Sequence, residues 1–187
     1  MKHAFLFRAV NVAGTAKLPM GELRALATEL GATEVRTYIA SGNLIAVAPG
    51  DPLAFAAQLE TEVEARFGFR REVIVRDAAA LRAARDAHPF SIVDPSHSYL
   101  VPLTAAPADP TAAADVPSGD DEWALVGSDL HVRYAHGAGR AELDLARLLR
   151  ALGVVGTARN LRTVDALLAL LGGSSRADQP GNHSADC

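Results

Sequence analysis

Apolar positions along the first 76 residues follow two alternating patterns, one typical of strands and one typical of helices. Residues 3–10 form a short apolar run rich in aromatic side chains, which predicts a buried first strand. Apolar residues at helical spacing predict two helices, one between Pro19 and Gly31 and one between Asp51 and Gly68. Three further strands are predicted, over residues 35–40, 44–48 and 72–76. The resulting order, β-α-β-β-α-β, is that of ferredoxin-like folds.

The second half of the chain repeats this order less clearly. A connecting helix comes first, capped by Asp77 and ending near His88. Residues 104–119 are rich in Ala, Pro and Asp, which indicates a loop around a short helix. The other predicted elements are a strand over residues 97–103, a hairpin of 122–126 and 130–134, a helix over 141–152, a short strand at Val154 and Val155, and a final helix capped by Asn160.

These patterns predict an α+β protein of two packed subdomains, each ferredoxin-like. The first subdomain covers residues 1–76 and the second covers residues 97–171, with a connecting helix and loop over residues 77–96. Residues 172–187 lack apolar periodicity and are expected to form a disordered C-terminal tail.

Composition and charge narrow the classes of partner. The chain has 187 residues, 49% of them apolar, and a formal net charge of −4, so a folded core is expected and no overall positive field attracts nucleic acid or membranes. The lone cysteine, Cys187, excludes a disulfide within the chain, and the apolar run near the N-terminus is too short for a signal peptide or a membrane span. We therefore expect a cytoplasmic protein.

Glycine, a basic side chain and a helix start occur together in residues 11–17, 136–140 and 156–162. A helix N-terminus presents unpaired N–H groups, glycine lets the backbone approach a ligand, and Arg or Lys supplies charge. This combination predicts anion binding and is not an enzyme signature.

The first group of candidate ligand-binding residues is Arg8, Asn11, Gly14 and Lys17. The basic side chains would hold a phosphate or carboxylate while the Asn11 amide fixes its orientation. The alternative is structural: Arg8 pairs with an acid and Asn11 makes local turn bonds. The spacing is not that of a Walker loop.

A second group combines Arg36 and Tyr38, on one face of a predicted strand, with Ser41 and Asn43 in the following turn. Arg36 and Tyr38 are residue types that often anchor ligands or partner proteins. Ser41 lacks the neighbouring base that a nucleophile needs, so a turn serine is the favoured interpretation.

The third group, Arg159, Asn160 and Arg162, lies at the start of the final helix. Asn160 would cap the helix while both arginines point toward an anion at its positive end. Plain capping with surface ion pairs is the alternative. Arg140, after a glycine-rich bend, is a weaker candidate of the same kind.

Other reactive chemistry is not indicated. The six histidines show no metal-ligand spacing, and the chain carries no cofactor motif. We therefore expect neither a metal nor a cofactor, and the sequence leaves open whether the protein is an enzyme.

Five motifs stand in order between residue 4 and about residue 171. They are Arg-Ala-Val-Asn-Val at residues 8–12, Leu-Pro-Met at 18–20, Arg-Thr-Tyr-Ile-Ala-Ser-Gly-Asn at 36–43, His-Pro-Phe at 88–90 and Ala-Arg-Asn-Leu-Arg-Thr at 158–163. Together they resemble the bacterial domain-of-unknown-function family numbered 1697. The resemblance implies a small cytoplasmic α+β protein of two subdomains, with some likeness to the ferredoxin-like fold and no established activity.

The chain departs from the family pattern at five positions. They are Ala9, Ala13, Ala141, Glu142 and Leu161. A glycine, a lysine and an aromatic residue are thereby lost from polar loops, which weakens any ligand role carried over from relatives.

Three functions follow from these observations. The leading one is a module that binds a small anionic ligand, such as a nucleotide, phosphate ester or carboxylate, with no reaction assigned. The second is RNA binding, which rests on fold analogy and is disfavoured by the acidic net charge. The third is a homodimeric interaction or scaffold protein that uses a sheet face or an edge strand.

Overall fold

The computed structural model describes residues 1–12 and 14–172, which form eight strands and five α-helices. In chain order these elements are β1 (Lys2–Phe7), α1 (Met20–Glu29), β2 (Thr33–Tyr38), β3 (Asn43–Val47), α2 (Pro52–Phe67), β4 (Val73–Asp77), α3 (Ala78–Asp86), β5 (Ser98–Pro102), β6 (Glu122–Val126), β7 (Asp129–Arg133), α4 (Leu145–Ala151), β8 (Arg159–Asn160) and α5 (Leu161–Gly172).

The first four strands form one antiparallel sheet in the order β2-β3-β1-β4. The two central strands are the most apolar, and residues 4–7 of β1 are fully buried. Phe5 and Phe7 point to the face that packs against α1 and α2, where they meet Leu23 and Leu59. The element order predicted for residues 1–76 is therefore observed.

The last four strands form a second antiparallel sheet in the order β6-β7-β5-β8. Val101, Leu130 and Val132 on one face pack against Leu148 of α4. The short helix predicted within residues 104–119 is absent from this described segment, which contains only turns and bends. Proline at positions 107, 110 and 117 removes backbone donors and limits continuous helix there.

Two helices join the sheets. Leu81 of α3 and Leu161, Val164 and Leu167 of α5 share one apolar cluster with residues of both sheets, including Leu100 of β5. An ion pair between Arg76 of β4 and Asp129 of β7, 3.0 Å long and largely shielded from solvent, spans the same junction.

Helix caps appear where the sequence predicts them. The Asp51 carboxylate accepts a hydrogen bond from the Ala54 amide (2.8 Å), and Asp77 does the same for Ala80 (2.7 Å). Asn160 caps α5 by accepting from the Thr163 amide at 2.9 Å. At the end of α2, Gly68 adopts the left-handed conformation with φ of 75°.

The helix predicted over residues 141–152 starts later, at Leu145. The buried Asp121 carboxylate accepts hydrogen bonds from the Glu142 and Leu143 amides at 2.8 and 3.0 Å, and from the Ala135 amide at 2.9 Å. These bonds hold residues 142–143 in a bend before the helix, and Asp144 then caps it.

Two strand predictions also need correction. β1 ends at Phe7 rather than residue 10, because Ala9 adopts a left-handed conformation with φ of 47°. The final short strand lies at Arg159–Asn160 rather than at Val154 and Val155. The chain at Gly156 makes only an isolated bridge to Leu103 before it joins the sheet.

The predicted tail, residues 172–187, lies outside the described residues except for Gly172, which ends α5. Across the described part of the chain, no helix is both long and apolar enough to cross a membrane.

Candidate functional site

The side chain of Arg159 turns into the protein interior, where the residue is only 6% exposed. Its Nε donates to the Asn43 side-chain oxygen at 2.6 Å. Nη1 donates to the Thr157 hydroxyl at 2.7 Å and to the Ala158 carbonyl at 2.8 Å, and Nη2 donates to the Phe7 and Ser41 carbonyls, both at 2.9 Å. An arginine has five N–H donors, so all of them are satisfied.

Every acceptor around Arg159 is electrically neutral. Among the described residues, none of the five oxygens that it contacts belongs to a carboxylate. Burial favours the uncharged form and lowers the pKa of Arg159 to about 10, so the group keeps its charge at neutral pH. The interior of the protein therefore holds a positive charge without a counter-charge.

The same guanidinium ties the two halves of the chain together. Phe7, Ser41 and Asn43 belong to the first sheet and its turn, and Thr157 belongs to the segment that leads into β8. The partners are separated from Arg159 by up to 152 residues in sequence. The fully buried Asn43 extends the network, because its Nδ2 donates to the Tyr38 carbonyl and to the Ser41 hydroxyl, each at 3.0 Å.

Backbone strain is concentrated beside this network. Ala9, Asn11 and Ile39 have φ of 47°, 55° and 48°, values that residues with a Cβ rarely adopt. Gly42 has φ of 78°, and a Cβ there would overlap the side chains of Val10 and Phe7. Strain of this kind persists only where surrounding contacts impose it, and it is common at binding sites.

Asn11 fixes the strained loop. Its Nδ2 donates to the Ala40 carbonyl at 2.7 Å and to the Leu18 carbonyl at 2.9 Å, and its Oδ1 accepts from the Leu18 amide at 2.8 Å. All three of these hydrogen bonds of the Asn11 amide group are made to the backbone. This agrees with the alternative in which Asn11 stabilises the turn rather than a ligand.

A cleft of about 710 Å³ opens next to Arg159, between the loop after β1 and helix α4. Its polar lining comes from Arg8, Ser41, Arg150, Thr157 and Arg159. The remaining lining is glycine or aliphatic: Ala9, Val10, Val12, Leu145, Ala146, Leu149, Val154, Val155, Gly156 and Ala158. Among the residues that the structure describes, the lining contains three arginines and no acidic residue.

The two arginines at the surface of the cleft differ in their partners. Arg8 forms an ion pair with Glu72, with Nη1 and Oε2 2.8 Å apart, in which both side chains are more than 40% exposed. Arg150 is exposed at the end of α4 and forms no ion pair or hydrogen bond with the described residues. An anion in the cleft therefore meets one free guanidinium and one held in a weak surface pair.

The structure brings together Arg8, Ser41, Asn43 and Arg159 from the predicted candidates. The prediction that Arg159 points toward an anion at the outer end of α5 is wrong. Its side chain points inward because it donates hydrogen bonds to carbonyl groups of the first sheet and its turn. Asn160 caps α5, and Arg162 is 69% exposed, 3.6 Å from Asp94.

The other predicted candidates do not line the cleft. Lys17, Arg36 and Arg140 are exposed elsewhere, and Tyr38 packs against the apolar cluster between the sheets.

The sequence patterns do not identify Arg150 or Glu72 as site residues, and they assign no role to Thr157. Arg150 carries no local signal beyond a basic residue in a last helical turn. Thr157 stands in the glycine-basic stretch at residues 156–162, but only its contact with Arg159 reveals its role.

The family resemblance is now testable by comparison. The sequence pattern of the family described as "Protein of unknown function (DUF1697)" matches residues 1–131. The chain belongs to the DUF1697 family. The prediction made from the five motifs is confirmed, and the match covers the loop after β1 and the 36–43 motif that surround Arg159.

This DUF1697 protein also resembles a solved structure, that of conserved bacterial protein SP0830 from Streptococcus pneumoniae. The two chains share 19% sequence identity and superpose with a TM-score of 0.66, over 91% of this chain and 98% of the other. At this identity the likeness establishes a shared fold. No curated protein matches the chain.

A second cluster of titratable groups lies away from the cleft. His88, after α3, and the buried His131 of β7 place their Nδ1 atoms 3.1 Å apart, while neither Nε2 has a partner among the described residues. Burial, reinforced by repulsion from His131 and Arg85, lowers the pKa of His88 to about 4. Burial also lowers the pKa of His131. No group of three or more metal-ligating side chains occurs in the described chain.

Arg159→Ala is expected to lower the free energy of unfolding by about 3–5 kcal/mol, because it leaves a cavity and removes the donors of three buried and two part-buried acceptors. Arg159→Lys keeps the charge but supplies only three donors, so an intermediate loss is expected. Urea denaturation measures the loss of unfolding free energy in both variants. The control, Arg162→Ala, removes an exposed arginine and is expected to cost less than about 1 kcal/mol. Equal losses at positions 159 and 162 would contradict the structural role of Arg159.

Stability is expected to fall as pH decreases from about 6.5 to 4. In this range the unfolded chain protonates His88 while the folded protein keeps it neutral, since its pKa is about 4 when folded and about 6.5 when unfolded. Solvent reaches part of the ring, so we expect a contribution on the order of 1 kcal/mol. Denaturation at several pH values should show a shallower dependence for His88→Asn than for the unmodified protein. Identical pH profiles for His88→Asn and the unmodified protein would refute this assignment.

Proposed function

We propose that this protein binds a small anionic ligand in the cleft beside Arg159. The observation that carries the proposal is the buried Arg159 charge, which is surrounded by neutral acceptors and borders the cleft. A buried charge is costly unless it is paired. An anion in the cleft would supply the missing counter-charge.

Arg159 acts on the ligand through its field rather than by direct contact, because all five of its N–H groups are already donated. Its charge is screened less than a surface charge because the surroundings have a low dielectric constant. The cation is held in place before any ligand arrives, so binding requires no reorganisation of its hydrogen bonds.

Arg8 and Arg150 are the groups that would contact the ligand. Arg150 has no competing partner among the described residues, and the Arg8 ion pair with Glu72 uses Nη1. Guanidinium groups bind carboxylates and phosphates through paired N–H donors. Within the described part of the chain, the cleft lining contributes no acidic side chain that would repel an anion.

Among the described residues, the first sheet offers no open face on which RNA bases could stack. Sheets that bind RNA stack bases on an exposed face. Here the first sheet packs against α1 and α2 on one face and against α3 and α5 on the other. We propose no reaction, because the lining residues that the structure describes include no activated nucleophile or acid-base pair.

We also propose that each half of the chain is a variant of the ferredoxin-like fold, with the domain limits given by the sequence analysis. The strand orders β2-β3-β1-β4 and β6-β7-β5-β8 support this interpretation. When β1 to β4 are matched in chain order with β5 to β8, the two sheets have the same strand order. The second half departs from it by having turns where the first half has α1.

Anion binding is expected to raise the melting temperature of the full chain. The probes are inorganic phosphate, a nucleoside monophosphate, a sugar phosphate and octanoate. Loss of a charge-assisted contact in Arg150→Gln should weaken binding of the best probe about tenfold or more. Arg147→Gln is the matched control, because Arg147 is an exposed arginine of α4 that does not line the cleft.

Two results would count against the proposal. One is a panel in which no anion stabilises the protein. The other is that the two variants, Arg150→Gln and Arg147→Gln, bind the most stabilising anion with equal affinity.

A further inference from the structure

Most of the cleft lining is aliphatic. Leu145 and Leu149 stand one turn apart on α4 and line the cleft together, followed by Val154. Val10 and Val12 face the cleft from the loop after β1, and Val12 remains 56% exposed. Ligand sites of this composition bind apolar groups and use a few polar groups for orientation.

Both hydroxyl groups of the cleft accept a hydrogen bond from within the protein, and the Thr157 hydroxyl also donates one. The Thr157 hydroxyl accepts from Arg159 at 2.7 Å and donates to the Phe7 carbonyl at 3.4 Å. The Ser41 hydroxyl accepts from Asn43 at 3.0 Å. The body of a sugar phosphate or nucleotide carries many hydroxyl and amide groups, and the mostly aliphatic lining offers few partners for them once they are desolvated.

We infer that the ligand is a small amphipathic anion, a carboxylate that carries a linear apolar body. This inference rests on the function proposed above and specifies its ligand. The carboxylate lies toward Arg8 and Arg150, within the field of Arg159, and the apolar body lies along Leu145, Leu149 and Val154. A volume of about 710 Å³ is within the usual range for one small molecule.

The test is a calorimetric titration of the full chain with butanoate, hexanoate, octanoate and decanoate, each below its micelle concentration. Each added methylene buried against the aliphatic wall should tighten binding about fourfold, until the cleft is filled. Octanol and octyltrimethylammonium have the same eight-carbon chain as octanoate but no negative charge. They should bind at least tenfold more weakly than octanoate.

A matched pair of variants locates the site. Ala146→Asp places a carboxylate in the lining of the cleft and should abolish octanoate binding. Arg147→Asp introduces the same side chain at the next position of α4, outside the lining, and should keep measurable binding. Both positions are exposed, so the fold should tolerate either change, and circular dichroism checks this.

The outcomes separate this inference from the broader proposal. Binding of phosphate or a nucleotide through Arg150, with no dependence on the length of the carboxylate chain, would overturn the amphipathic ligand and leave anion binding intact. Binding of octanol as tight as that of octanoate would also overturn it. If no anion binds, both proposals fail. The chain-length series on the unmodified protein decides the question even if Ala146→Asp does not fold.

Discussion

The hydrogen bonds of Arg159 are the constraint on which the arrangement of the cleft depends. One guanidinium joins the end of β1, the turn before β3 and the segment that leads into β8. Five neutral oxygens satisfy its donors without neutralising its charge. The two halves of the chain thus meet around a fixed cation rather than around apolar contacts alone, and the cleft forms along that seam.

The strained backbone around the network follows from this arrangement. Ala9 and Asn11 adopt left-handed conformations in the loop that forms one wall of the cleft, and Asn11 holds that loop with three hydrogen bonds. Gly42 allows the turn to approach Val10 and Phe7 closely. The hydrogen bonds of Asn11 hold the described part of this loop beside the cleft, so binding requires less ordering there, which lowers its entropic cost.

Local features of the fold could be predicted from the sequence, and long-range ones could not. The caps at Asp51 and Asn160 were predicted correctly because each involves only the next three residues. The delayed start of α4 was missed because Asp121, more than twenty residues earlier, binds its lead-in. Arg159 was selected as a candidate but placed outside, because its acceptors Asn43 and Phe7 are 116 and 152 residues away. Arg36 is a candidate for the same reason, a basic residue in a short motif. It lies away from the cleft because, in the described part of the chain, it has no such acceptors there.

The most direct test of the central claim is the NMR signal of the Arg159 Nε–H group in the full chain. The Nε–H donates to a fully buried amide oxygen, so it should exchange slowly with water at neutral pH and shift when octanoate is added. The exposed Arg36 should exchange rapidly and stay unchanged. An Arg159 signal that exchanges as fast as that of Arg36, or that no anion perturbs, would contradict a buried cation facing a ligand site.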